Sequence, residues 1–237
     1  MTKKVLITGV SAGIGAALAR ELTARGHVVD GLGRSPPAAG SVRDFIACDL
    51  LDVGAIDEAI QAIGGRDYDV FIHNAMWTPP HAPYIRYQAQ DFMDAHMVST
   101  VAPTLLLQKI GMGMKRRGGG QLLFLGSLIQ HTGSDGQLPY LTAKAALGGL
   151  VKGLAVELGK YGVTSNLVLL GAVETEKVRQ NLSAEALAGL KAKLPRGELI
   201  AVAEVARTLA HLVEGELRLI NGSEILLTDS QHLWKAK

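Results

Sequence analysis

Disulfide chemistry has no place in this chain. Cys48 is its sole cysteine, so no internal bridge can form and a reducing compartment is expected. Its position in an apolar, strand-like run makes it a small buried hydrophobe. A surplus of charge is missing too: 24 Lys and Arg stand against 22 Asp and Glu, which gives no pull towards nucleic acid or a membrane surface. Long apolar runs are also absent. Leu122 to Leu128 is short and glycine-bounded, well below the ~20 residues of a bilayer crossing. Met1 to Lys4 are followed by too few apolar residues for a secretory signal, so a cytoplasmic protein is expected. No repeat or low-complexity tract occurs, and no metal-ligating set is assigned.

What remains is apolar and ordered. Hydrophobic residues make up 48% and charged ones 19%, which excludes a disordered chain and fits much buried sheet or a large subunit interface. With 237 residues one α/β domain over 1–237 is expected, large enough to bury its own core.

The chain is organised around Thr8-Gly9-Val10-Ser11-Ala12-Gly13-Ile14-Gly15. Val5-Leu6-Ile7 before it reads as a strand, and Ala16 to Leu22 after it as a helix packed on a sheet. Glycines at these offsets allow a tight turn, bring peptide N–H groups close to a ligand and let the helix approach the strand. The helix start offers free N–H donors and a positive dipole end, a place for a pyrophosphate.

Further along, apolar strands alternate with helices. Strands are expected at His27–Leu32, Val42–Ala47, Asp69–His73, Gln121–Leu125, Ser165–Leu170 and Glu224–Thr228. Helices are expected at 53–63, 89–115 with a kink at Pro103, 140–160 and 202–213. The fold class is therefore α/β, a doubly wound parallel sheet of Rossmann type with helices on both faces. Arg116-Arg117 reads as a solvated helix end. The polar segment 174–200 reads as a cover over a substrate. Residues Trp77–Tyr87 and Leu128–Leu138 supply its other walls.

At the end of the second strand, Gly33-Arg34-Ser35 offers a cation and a hydroxyl suited to a 2′-phosphate, favouring NADP(H), with NAD(H) possible. Asp30 is the rival, three residues earlier. Asp49, after the third strand, either meets an adenine or caps the next helix.

Tyr140 and Lys144 lie one helical turn apart on one face. A phenol titrates near pKa ~10, and an ammonium beside it favours the phenolate, so Lys144 is expected to lower the Tyr140 value. Ser127, ending the fifth strand, is placed to donate to the same substrate oxygen.

In these motifs the chain resembles the compact, roughly 250-residue short-chain dehydrogenases/reductases over nearly all its length. The matching elements are Thr8-Gly9-xxx-Gly13-Ile14-Gly15, Asp49, Asn74-Ala75, Ser127 thirteen residues before Tyr140, Tyr140-xxx-Lys144, and Gly171 followed by Thr175. The resemblance implies an NADPH-dependent carbonyl reductase, with catalytic Ser127, Tyr140 and Lys144. It implies cofactor contacts from Gly9, Ser11, Gly13, Ile14, Gly15, Arg34, Asp49, Leu50, Asn74, Ala75, Gly171, Val173 and Thr175, besides Tyr140 and Lys144. It further implies a homotetramer or homodimer built through the helices at 89–115 and 140–160. A small carbonyl substrate is expected, and one linked to an acyl carrier would meet Arg116, Arg117 or Arg179.

The chain departs from the family pattern at several points. Asparagine-asparagine-alanine-glycine becomes His73-Asn74-Ala75-Met76, and the C-terminal Asp-Gly-Gly becomes Asp229-Ser230-Gln231. The asparagine that supports a water-linked proton path to the lysine aligns with Ser99, shorter but still able to hold a water; His96, one turn earlier, is either its substitute or a buried structural histidine. These departures motivate an alternative: a cofactor-binding relative with little turnover, acting as an assembly or regulatory partner.

Overall fold

The computed structural model describes residues 1–233, so the last four of the expected 1–237 domain lie outside the described residues. Seven parallel strands form one sheet: β1 (Lys4–Thr8), β2 (Val28–Gly33), β3 (Asp44–Ala47), β4 (Val70–His73), β5 (Gly120–Ser127), β6 (Val163–Leu170) and β7 (Glu224–Leu227). Their order is β3-β2-β1-β4-β5-β6-β7. The order reverses between β1 and β4, where open sheets of this kind place ligands at the strands' C-terminal ends. The inner strands are apolar on both sides because helices cover both faces. One face packs α1 (Gly13–Ala24) and α9 (Val202–Glu214) through Leu18, Leu22, Val205 and Leu209. The other packs α2 (Val53–Ile63), α4 (Ala102–Arg117) and α6 (Leu138–Gly159) through Ile56, Leu106, Leu147 and Val151.

The helix expected at 89–115 is three pieces. These are α3 (Ala89–His96), a π-helical turn (Met97–Val101) and α4. Pro103 carries no N–H, so the ladder cannot run through it unbroken. Instead the Ala102 N–H skips back to the Met97 carbonyl and Pro103 sits in the first turn of α4. The break therefore takes the form of a widened turn, and it puts Ser99 at full burial against α6.

Two local expectations need correcting. Asp52, not Asp49, caps α2, accepting from the Gly54 and Ala55 N–H groups at 2.8 and 3.4 Å; α2 starts at Val53, out of reach of Asp49. The end of α4 is not simply solvated: Arg117 binds Asp67 at 2.6 Å and the Tyr68 carbonyl, while Gly118, at φ +72°, closes the helix. Between β5 and α6 lies the short α5 (Ile129–Thr132). The excursion after β6 is α7 (Glu176–Asn181) and α8 (Ala184–Ala192), and a Val173–Ile200 bridge pins its base.

Candidate active site

The glycine turn carries β1 into α1 as the spacing requires. Gly9 has φ +74°, and a Cβ there would stand 2.9 Å from the Ala75 Cα; at Gly15 it would stand 2.1 Å from the Gly9 carbonyl oxygen. No side chain caps α1, whose N-cap is Ala12, and no acidic residue occupies its first turn. Its leading N–H donors therefore suit an anion. Thr8 ties the turn to β4: its Oγ1 accepts from the Asn74 and Ala75 N–H groups, both at 3.1 Å. Asn74 Nδ2 donates to the Gly9 carbonyl at 2.8 Å.

Above the turn lies a crevice of about 500 Å³. Gly9, Ser11, Gly13, Ile14, Arg34, Asp49, Leu50, Asn74, Ala75 and Thr175 all line it, with Met76, Trp77, Val98 and Lys177. Gly15 is buried behind this lining, and Gly171 and Val173 stand outside it, in the segment leading to Thr175. Met76, 47% exposed, is part of the wall and does not fill the space. The Thr175 Oγ1 accepts from the Val178 N–H at 3.3 Å, capping α7, which leaves its hydroxyl proton to donate elsewhere.

Arg34 is exposed and makes no ion pair among the described residues. Asp30 is engaged elsewhere. It is fully buried, accepting from Arg43 Nε at 2.9 Å, the Tyr68 hydroxyl at 2.7 Å and Arg66 at 3.3 Å. It is not among the residues that line the crevice. Burial and the Asp30 carboxylate push the Tyr68 phenol upward.

Ser127, Tyr140 and Lys144 gather at the C-terminal end of β5, beside the crevice and not among its lining residues. Ser127 ends β5, and its hydroxyl lies close enough to the half-buried Tyr140 phenol to favour the phenolate. Lys144 is fully buried; its Nζ donates to the Leu125 carbonyl at 2.7 Å and lies 5.7 Å from the Tyr140 ring centre. Burial pushes Lys144 down to about 8. The phenol differs from expectation, for burial holds Tyr140 above its usual range and only the neighbouring Ser127 hydroxyl works against this. In the free protein the ammonium donates to the strand carbonyl, and burial of the phenol outweighs the expected lowering.

Other expected partners stand elsewhere. His96 is half-buried, whereas the fully buried histidine near Lys144 is His73. Arg116 and Arg117 close α4 at the N-terminal edge of the sheet, opposite the crevice, and Arg179 pairs with Glu174 at 3.2 Å. Two contacts escaped the sequence reading. Gln231 Oε1 accepts from the Ala172 N–H at 2.7 Å, over Gly171. Asp229 and Ser230 hold φ +49° and +61° to bring it there. Lys177 donates to Thr78 across the crevice mouth. The altered Asp229-Ser230-Gln231 motif was the one sequence signal for the first.

A family model described as enoyl-(acyl carrier protein) reductase matches residues 9–229. The chain belongs to the short-chain dehydrogenase/reductase family. Family membership makes it an NAD(P)-dependent oxidoreductase. The 3-oxoacyl-[acyl-carrier-protein] reductase FabG of Escherichia coli K12 is 29% identical over 98% of this chain and 98% of its own. MabA of Mycobacterium avium, also named a 3-oxoacyl-[acyl-carrier-protein] reductase, is 28% identical over 95% of this chain and 88% of its own. The crystal structure of the TT0495 protein from Thermus thermophilus superposes with a TM-score of 0.87 at 30% identity, covering 99% of this chain and 100% of that one. Among the described residues no helix is long and apolar enough to cross a membrane, and no cluster of His, Cys, Asp or Glu suits a metal ion.

Proposed function

We propose that the protein reduces a ketone to an alcohol with NADPH, acting on a 3-oxoacyl thioester or a carbonyl compound of similar shape. The observation that carries this reading is the assembly of Ser127, Tyr140 and Lys144 beside a crevice built for a dinucleotide. A cradle that tolerates no Cβ, an uncapped helix start and the Arg34 guanidinium, unpaired among the described residues, all fit such a cofactor. The glycine turn and α1 would hold its pyrophosphate, Asp49 and Leu50 its adenine, Arg34 with Ser35 a 2′-phosphate, and Thr175 the carboxamide. Once bound, the nicotinamide supplies the hydride.

The chain's own groups do the rest. Tyr140 stays protonated because burial disfavours its phenolate, so it carries a proton to the carbonyl oxygen. Ser127 donates to the same oxygen and steadies the charge that develops there. The Lys144 ammonium stabilises the phenolate left behind. Segment 174–200, pinned at Val173–Ile200 and latched by Lys177 to Thr78, covers the substrate and excludes water. The chain as a whole is read as one domain, with a homo-oligomer forming through α4 and α6. The groove of about 470 Å³ between those helices is lined by Leu107, Met112, Leu154 and Tyr161.

The names of the relatives support a carrier-linked carbonyl, while the matching family model is named for an enoyl reductase. Both are tested by following NADPH oxidation with 3-oxoacyl and 2-enoyl thioesters of one acyl length. Turnover of the 3-oxoacyl compound that falls about 10³-fold in Tyr140→Phe, with NADPH affinity kept, supports the reading. Tight NADPH binding without turnover on either thioester favours the little-turnover alternative.

A further inference from the structure

Two cations line the crevice among the described residues, and they come from different parts of the chain. Arg34 follows β2, whereas Lys177 stands in the first turn of α7, at the mouth. Two carboxylates, Asp49 and Glu176, also line it, so the lining has no surplus of positive charge.

The glycine turn supplies no cation of its own. Val10, Ser11 and Ala12 stand between Gly9 and Gly13, so an anion there meets only peptide N–H groups and the start of α1 from that side. The opposite side is the beginning of segment 174–200. A Cβ built on Gly13 would lie 3.9 Å from the Thr175 Cγ2, and Glu176 and Lys177 follow directly in the same stretch of lining. The Glu176 carboxylate, bonded to Gln180 Nε2 at 3.0 Å, would repel an anion. Lys177 is the group that offsets it.

In the free protein this lysine is poorly matched. Its Nζ donates to the Thr78 hydroxyl, a neutral acceptor, and two of its three N–H groups are left over. It makes no ion pair among the described residues. Although exposed, its ammonium is held below the usual lysine range by the protein beside it, and no neighbouring anion counters this. A long side chain pinned by one hydroxyl gives up rotamer freedom for little return.

We infer that Lys177 is a cofactor-binding residue: its unused N–H groups take the pyrophosphate of the dinucleotide while the remaining one keeps Thr78. Bound cofactor then ties together the glycine turn, the loop after β4 and segment 174–200, so the cover is firmest when the hydride donor is in place. This rests on the dinucleotide crevice of the reductase reading and is independent of the chemistry at Tyr140.

The test is titration calorimetry on the whole chain without substrate, using NADPH, NADH and 2′-AMP. The pyrophosphate is common to the first two and absent from the third. Lys177→Met keeps most of the stem and removes the charge; it is expected to weaken NADPH and NADH by one common factor of about tenfold and to leave 2′-AMP within about twofold. Lys177→Arg recovers most of that loss. Thr78→Val removes the latch and keeps the cation, and costs less than about threefold. The loss in Lys177→Met shrinks as salt rises from about 0.05 M to about 0.5 M. Unchanged NADPH and NADH affinities in folded Lys177→Met overturn the inference, as do an equal loss in Thr78→Val or a loss as large for 2′-AMP. Should Lys177→Met not fold, Lys177→Gln decides by the same readings. Ketone turnover with unchanged affinities overturns this inference and spares the reductase reading; the expected losses in a protein without turnover do the opposite.

Discussion

The Lys144 ammonium donates to the Leu125 carbonyl at 2.7 Å, two residues before Ser127 on the same strand. The helix that carries Tyr140 is therefore tied to the strand that carries Ser127. The three groups move as one unit, and a carbonyl held by Ser127 meets the phenol without further adjustment.

Lys144 also sets a pH limit. Burial pushes it down to about 8 in the free protein, while Tyr140 is pushed up and stays protonated well beyond that. The kcat/KM for ketone reduction, which reports free-enzyme groups, is expected to fall above about pH 8 as the ammonium loses its proton. Lys144→Met should lower the plateau about 10²-fold or more and erase that limb. A limb that survives in Lys144→Met would assign it to another group.

Much of this arrangement was legible beforehand. Strict apolar strands, three glycines at fixed offsets and a Tyr-Lys pair one turn apart each have a local cause, so sheet, turn and triad could be read along the chain. The form of the break at Pro103 could not, because a kink and a π turn satisfy the same missing N–H. Nor could the direction of the Tyr140 shift. Spacing brings a lysine near a phenol, but only packing shows that burial of the phenol outweighs the expected lowering. The Asp30 cluster was hidden for a similar reason: Arg43, Arg66 and Tyr68 come from distant positions and meet only after the sheet forms.

Cofactor choice is expected to turn on Arg34. Removing one charge-assisted partner of a 2′-phosphate costs about 1.5–3 kcal/mol, so Arg34→Ala should weaken NADPH about 10- to 10²-fold. NADH, lacking that phosphate, should change less than about threefold. Titration calorimetry with both nucleotides checks this, and equal losses for the two would remove Arg34 from that role.

His73 ties stability to acid. An unfolded histidine titrates near ~6.5, and burial, with the Lys144 charge, holds this one at about 3 in the fold. Between those values the unfolded chain binds the extra proton, so the contribution is complete above about pH 6.5 and is lost as pH falls towards 3. The slope approaches at most ~1.4 kcal/mol per pH unit. Urea unfolding from pH 7 down to pH 4 should be steeper for the natural chain than for His73→Asn, and parallel curves would contradict the buried neutral ring.

Asp30 separates the two readings of the cofactor end. As a ribose contact its loss would alter nucleotide binding and leave stability alone. As the buried acceptor of Arg43, Arg66 and Tyr68 it holds β2, β3 and the turn before β4 together. Asp30→Ala strips the Tyr68 hydroxyl of its acceptor and leaves two guanidinium groups facing each other. Arg43 and Arg66 are 49% and 31% exposed, so water relieves part of the repulsion and the expected loss is about 1–3 kcal/mol. Tyr68→Phe, which keeps the carboxylate and both arginines, should cost about 1 kcal/mol. Both are read from urea midpoints at constant slope, with NADPH and NADH affinities in the folded variants unchanged within about threefold. A variant of full stability with a selective change in NADH affinity would return Asp30 to the ribose.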